Sequence, residues 1–262
     1  MVIKLIDEIL TYERLLLAWI GAAPIVAGIL LFREEIPRGS KRSNQSGWAV
    51  NTRVGWVLKE APGALQLVYW FFRKDTNPVP IARIFLAAYA IHYIYRIFIY
   101  PLLLRTGRRK NITVENLFHT FIWHFCNEGL IGYWLTRRCN LSITWLYSWQ
   151  FIAGWILFSV GLAITISHDA FLIALRRKED HRGSIRIPEG GLFEFVANGN
   201  FFGECVEWLG FAIMTWSLPG FAFFLWTCAN LIPTAVANDR WYRRTMKDKY
   251  PKDRKAIIPF LL

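Results

Sequence analysis

Cysteine is scarce, with 4 among 262 residues: Cys126, Cys139, Cys205 and Cys228. No two stand at the short paired spacing that chelates zinc or frames a disulfide scaffold, so they read as small buried hydrophobes. Long stretches lack charge altogether: neither residues 139–167 nor residues 208–238 contain Asp, Glu, Lys or Arg. His119, His124 and Glu128 fall near one another, but the His-Glu-x-x-His zinc motif is missing, and they read as satisfied helix-interior residues. No Walker loop and no Gly-x-Gly-x-x-Gly fingerprint occurs, so any dinucleotide must be held between helices. Internal repeats and low-complexity linkers are also missing, which makes residues 1–262 a single expected domain.

What the chain does have is apolar surface. Hydrophobic residues make up 54% and aromatics 16%, with 13 Trp and a mean hydropathy of +0.27, too apolar for an ordinary soluble domain. The net charge of +12 does not point to nucleic acid, because the basic residues lie between apolar runs and form no continuous groove. Lys4, Asp7, Glu8, Glu13 and Arg14 precede the first run, and no small-residue cleavage site follows it. That run is therefore expected to be a retained anchor.

A helix needs about 20 mostly apolar residues to cross the hydrocarbon. Five spans meet this need: 15–32, 54–72, 81–104, 117–136 and 141–175. Residues 208–238 are long enough for two more, with a turn near Pro219 and Gly220 and the first span starting around Asn200. A hairpin keeps the basic loop of Arg176, Arg177, Lys178, Arg182 and Arg186 on the same side as the basic C-terminal tail, as the positive-inside rule requires. The expected fold is an all-α bundle of seven transmembrane helices with the N-terminus outside and the C-terminus cytoplasmic. On that topology, 22 of the 31 Lys and Arg residues fall on the cytoplasmic side.

Ionisable residues inside such spans cost about 2.5–3.5 kcal/mol each on insertion scales, so they face the bundle interior and mark candidate sites. The second span holds Lys59 and Glu60; the third holds His92, Tyr93, Arg96 and Tyr100. Tyr93, Arg96 and Tyr100, at i, i+3 and i+7, share one helical face that Glu60 can reach. Two readings stay open from the residues alone. A carboxyl and a phenol together can stabilise a carbonyl oxygen that becomes enolate-like, or Glu60 forms a structural ion pair with Arg96 or Lys59. Asn200, Glu204 and Glu207 share another face, with Gly203 and Gly210 allowing close helix approach. Asp169 and Arg176 share a face at the end of the fifth span. There Arg176, Arg177 and Arg186 either collect phosphate or simply set topology.

The C-terminal third carries a specific run: Ile187-Pro188-Glu189-Gly190-Gly191-Leu192-Phe193, Asn200-Phe201-Phe202-Gly203-Glu204, Glu207-Trp208-Leu209-Gly210 and Trp216-Ser217-Leu218-Pro219. It continues through Trp241-Tyr242 and Tyr250-Pro251-Lys252-Asp253-Arg254-Lys255 to Ile258-Pro259-Phe260. This run resembles the steroid 5α-reductase family, and the resemblance extends to about residue 54 through His92, Tyr93, Arg96, Tyr100 and the basic turn at 105–109. It implies a membrane enzyme that reduces the 4,5 double bond of a 3-oxo steroid with NADPH. It also implies that Glu60 and Tyr93 hold the C3 carbonyl. Arg108, Asp169, Arg176, Arg186, Asn200, Glu204, Asn238 and Tyr242 would contact the cofactor. The chain departs from the pattern of the animal enzymes at Lys59, Leu104, Ile185, Asn238 and Asp239.

Competing expectations keep the membrane and change the chemistry. Related reductases act on enoyl-thioesters, polyprenols or other sterol double bonds; prenyl-cysteine methyltransferases share a similar C-terminal layout and use S-adenosylmethionine. A non-enzymatic transporter or lipid-binding scaffold is a third. The expected partners are a lipophilic enone and membrane lipid, with no obligate protein partner evident.

Overall fold

The computed structural model describes residues 2–32, 48–104, 111–177 and 186–262, with the side chains of 2–9, Asn111, Arg176 and Arg177 outside the description. The fold is all-α, built of α1 (Val2–Leu31), α2 (Thr52–Phe72), α3 (Pro80–Ile94), α4 (Tyr100–Leu103), α5 (Val114–Tyr133), α6 (Trp149–Arg177), α7 (Gly199–Thr215) and α8 (Leu218–Met246). A π turn at Tyr95–Ile99 joins α3 to α4 without a break, and a second one, Trp134–Arg138, ends α5. Two short strands, β1 (Ala49–Asn51) and β2 (Asn111–Thr113), pair antiparallel and precede α2 and α5.

Among the described residues, four helical stretches are long and apolar enough to cross a membrane: Leu10–Leu31, Pro80–Leu103, Trp149–Leu175 and Leu218–Lys249. The other long helices, α2, α5 and α7, carry the carboxylates Glu60, Glu128, Glu204 and Glu207.

Capping residues explain where helices begin. The Asn51 side chain accepts from the Arg53 amide, Thr113 from Asn116, and Ser217 from Gly220, each occupying an amide that the first helical turn leaves unpaired. The same chemistry corrects the expected 141–175 helix. Ser142 starts a separate 3₁₀ turn, Ile143–Tyr147, and Ser148 caps a new start at Trp149 by accepting from the Phe151 amide. The hairpin turn also falls slightly earlier than Pro219 and Gly220. Trp216 adopts a left-handed conformation (φ 46°), while Pro219 and Gly220 lie in the first turn of α8, a position where proline loses no hydrogen bond.

Helices α6 and α7 form the tightest pair, because glycine faces backbone along the whole seam. A Cβ at Gly161 would lie 2.2 Å from the Glu207 amide nitrogen, and one at Gly210 would lie 2.3 Å from that of Phe158. Glycine seams of this kind let membrane helices touch through their backbones. Elsewhere the aromatics fill the bundle: Trp208 packs on Phe223 (4.2 Å) and Tyr89 (5.1 Å), and Trp19 of α1 stacks on Trp226 of α8 (4.2 Å).

Candidate active site

Three groups of buried polar side chains occupy the bundle interior. The first runs across four elements. Glu60 of α2, 5% exposed, places Oε1 at 3.3 Å from Arg96 Nη2 and 3.4 Å from Lys59 Nζ. Arg96 Nη1 stands 3.8 Å from Asp169 Oδ2 on α6, and Asn200 of α7 donates from Nδ2 to Asp169 Oδ1 at 2.9 Å. The Tyr95 hydroxyl adds a long contact to Asp169 at 3.5 Å. The Arg96 guanidinium lies over the rings of Trp56 and Tyr100, at 4.7 and 5.4 Å. Planar guanidinium suits this stacking and still reaches two carboxylates at once. Half-buried Glu204 follows Asn200 by one turn and acts electrostatically on Arg96 and His92.

The second group is centred on Glu128 of α5, with no exposed surface. Its Oε1 accepts from Tyr89 at 2.6 Å and Tyr93 at 2.8 Å, and His124 Nδ1 lies at 2.8 Å. The third is a pair, His92 Nδ1 with Glu207 Oε1 at 2.8 Å, buried between α3 and α7.

Helix α3 and the π turn that follows it feed all three: Tyr93 reaches Glu128 on α5, His92 reaches Glu207 on α7, and Arg96, within the π turn, reaches Glu60 on α2 and Asp169 on α6. Such π turns are frequent at functional sites.

The sequence-derived candidates are thus distributed unevenly. Glu60, Asp169 and Asn200 join one network through Arg96, with Glu204 beside it. Tyr93 belongs to the Glu128 group. Asn238 donates to the Asn198 side chain at 2.8 Å, and Asn198 in turn binds the Ala235 and Ala256 carbonyls. Tyr242 stacks on Tyr250 (5.5 Å, 3° between planes). These two therefore sit where the C-terminal tail folds back on the start of α7, a contact sealed by Ala197 and Lys255 backbone bonds. Arg186 is exposed. Arg108 lies outside the described residues, and Arg176 is placed only as a position near the end of α6.

Sequence reasoning passed over Tyr89 and the joining role of Glu128. A usable signal existed: Glu128 is a carboxylate in an apolar run whose own helix face offers one polar neighbour, His124, so further donors had to come from another helix. Among the described residues no group of three His, Cys, Asp or Glu is arranged to hold a metal.

Comparison with known proteins gives a consistent result. Residues 110–262 match the family described as 3-oxo-5-alpha-steroid 4-dehydrogenase. Steroid 5-alpha-reductase DET2 of Gossypium hirsutum is 37% identical over 261 residues, covering 97% of this chain and 98% of that protein. DET2 of Arabidopsis thaliana is 38% identical over 95% of this chain and 96% of its own length. The 3-oxo-5-alpha-steroid 4-dehydrogenase 1 of Mus musculus is 36% identical over 86% of this chain and 87% of its own. With similarity at this level running over nearly its whole length, the chain belongs to the steroid 5α-reductase family and is an oxidoreductase of steroid metabolism.

Proposed function

We propose that this protein is a single-domain membrane reductase that converts 3-oxo-4-ene steroids to 5α-steroids with NADPH. In this reading the chain crosses the bilayer seven times, with its N-terminus outside and its cofactor side and C-terminus facing the cytoplasm. The concentration of Lys and Arg in residues 33–53, 105–110 and 176–186 and toward the C-terminus supports that orientation.

The observation that carries the proposal is the buried chain from Glu60 through Arg96 and Asp169 to Asn200. Buried charge in a membrane bundle is costly and usually serves transport or chemistry. Arg96 Nε is buried without a partner among the described residues, so the interior has unmet hydrogen-bonding capacity of the kind a polar cofactor supplies. The donor set fits NADPH: Asn200, Asp169, Tyr95 and Arg96 offer amide, carboxylate, phenol and guanidinium groups. Arg108, Arg176 and Arg186 provide positive charge for phosphate, and Glu204, Asn238 and Tyr242 complete the proposed contacts. When bound, NADPH supplies the hydride that C5 receives.

The chain's own residues prepare the other side of the reaction. Tyr93 donates a hydrogen bond from its hydroxyl to the C3 oxygen, and Glu60, which pairs with Arg96 and Lys59 when ionised, takes up a proton from solvent before offering it to the same oxygen through the carboxyl oxygen they leave free. Drawing electron density onto that oxygen makes C5 electrophilic and stabilises the enolate, which takes a proton at C4 from water. The test is turnover of a 3-oxo-4-ene steroid in detergent by Glu60→Gln and Tyr93→Phe. Losing one such donor costs about 10²–10³ in kcat; full turnover by both variants rejects the assignment.

A further inference from the structure

We propose that His168 is a positioning residue for the cofactor: its ring ties the segment between Arg186 and Asn200 to α6 and so sets where those two proposed contacts stand relative to Asp169. This rests on the reading of Arg186, Asp169 and Asn200 as NADPH contacts.

The hydrogen bonds fix the state of the ring. His168 Nε2 lies 3.2 Å from the Leu192 amide nitrogen, and a backbone N–H only donates, so Nε2 accepts and carries no proton. The proton is on Nδ1, which donates to the Ile164 carbonyl at 2.8 Å; the Ser167 hydroxyl shares that carbonyl at 3.0 Å. Both ring nitrogens are used within the chain, and neither bond has to be given up when a ligand binds.

The ring is also wedged between the segment and α7. Phe193 packs on it at 5.0 Å between centroids, and a Cβ at Gly199, the first residue of α7, would stand 2.6 Å from His168 Cδ2. The next residue on each side makes the polar contact, Asn200 donating to Asp169 at 2.9 Å. Two successive residues of α6 thus grip two successive residues at the start of α7. Arg254 and Lys255 tie the same segment to the C-terminal tail, through the Pro188 carbonyl at 3.0 Å and the Ala197 amide at 2.8 Å. The Leu192 bond ties it instead to the helix that carries Asp169. Gly190 and Gly191 precede Leu192 with positive φ (97° and 58°), so the bond anchors the stretch whose backbone has the least restraint of its own.

Wild type, His168→Gln, His168→Asn and Asn200→Ala are titrated with NADPH in detergent by tryptophan fluorescence, with kcat, steroid KM and thermal melting measured alongside. A glutamine amide reaches the Nε2 position and can accept from Leu192, whereas asparagine reaches only the Nδ1 position. His168→Asn is expected to weaken NADPH binding about 2–10-fold, with kcat at saturating cofactor and steroid KM unchanged, while His168→Gln binds NADPH as tightly as wild type. A residue that served stability alone would lower the melting temperature and leave NADPH affinity intact. Wild-type affinity in His168→Asn overturns the proposal, as does equal weakening in His168→Asn and His168→Gln, which would make ring packing rather than the Leu192 bond the cause. Unchanged affinity in Asn200→Ala removes the cofactor reading and the His168 role together; weakened Asn200→Ala beside unaffected His168→Asn removes only the His168 role. If His168→Asn does not fold, His168→Leu removes the same acceptor from a good helix former. A folded His168→Leu with weaker NADPH binding sustains the proposal, and one with wild-type affinity overturns it.

Discussion

Gly161→Ala should damage this protein far more than its chemistry suggests. Alanine is ordinarily the better helix former, by about 0.5–1 kcal/mol over glycine. At Gly161, however, the new Cβ meets the Glu207 amide nitrogen at 2.2 Å, Glu207 Cα at 2.6 Å and the Gly203 carbonyl at 2.6 Å, whereas ordinary contact begins at 3.4 Å. All three obstacles are backbone, so no rotamer relieves them; α6 and α7 must separate by on the order of 1 Å. Overpacking typically costs about 1–3 kcal/mol, and an unyielding backbone contact belongs at the upper end. The displacement also pulls on Asn200–Asp169 and His92–Glu207, which bridge the same helices to the site. Gly28→Ala on α1 is the control, because nothing lies within 4 Å of its added Cβ. The assay is thermal melting in detergent with the NADPH KM measured alongside. Gly161→Ala should melt well below wild type and bind cofactor more weakly, with Gly28→Ala equal to or slightly above wild type. Equal melting of the two variants would refute the seam.

Other perturbations follow from single contacts. Glu207→Ala leaves the buried His92 ring nitrogen without its partner and should cost about 1–3 kcal/mol by detergent melting; replacing both residues with apolar ones of similar volume should cost less. Arg254, 2% exposed, donates to the Pro188 carbonyl at 3.0 Å and lies over Tyr250. Arg254→Met should destabilise by about 1.5–3 kcal/mol and speed proteolysis of the C-terminal tail. At the α2–α3 loop, the side-chain hydrogen bond from Arg73 lowers the Asp75 pKa from 3.8 to about 2. Because the folded value is the depressed one, its small stabilising effect is present above about pH 4 and fades as pH falls toward 2. Asp75→Asn should flatten the acid limb of a melting-versus-pH curve in that window and leave neutral-pH turnover unchanged, since the group is exposed.

The helical layout was largely legible in the sequence, because mostly apolar runs long enough for a bilayer leave few alternatives. The spans expected at 54–72, 81–104 and 117–136 overlap α2, α3 with α4, and α5 closely. Ser142 and Ser148 were harder to weigh: inside an apolar stretch they look like tolerated polar residues, and only the backbone shows them capping two separate elements. The π turn at Tyr95–Ile99 has no sequence signature, and the spacing of Tyr93 and Arg96 did not reveal that Tyr93 bonds to Glu128 on α5 while Arg96 pairs with Glu60 on α2. Glu60 and Asp169 were recognisable because charge in an apolar helix demands a partner, and Asn200 because it shares a face with Glu204 and Glu207. Which partner each takes depends on helix rotation, and the Tyr89, Tyr93, His124 and Glu128 cluster spans two helices whose rotation the sequence does not encode locally.

The most direct test is isotopic. Purified protein is incubated with a 3-oxo-4-ene steroid and NADPH carrying deuterium at nicotinamide C4 on either face, and the product is analysed by mass spectrometry and NMR. Deuterium at C5 of a 5α product, from one face of the cofactor alone, is the expected result. A reduced product without deuterium at C5 from either labelled cofactor, or no reduction at all, would contradict it.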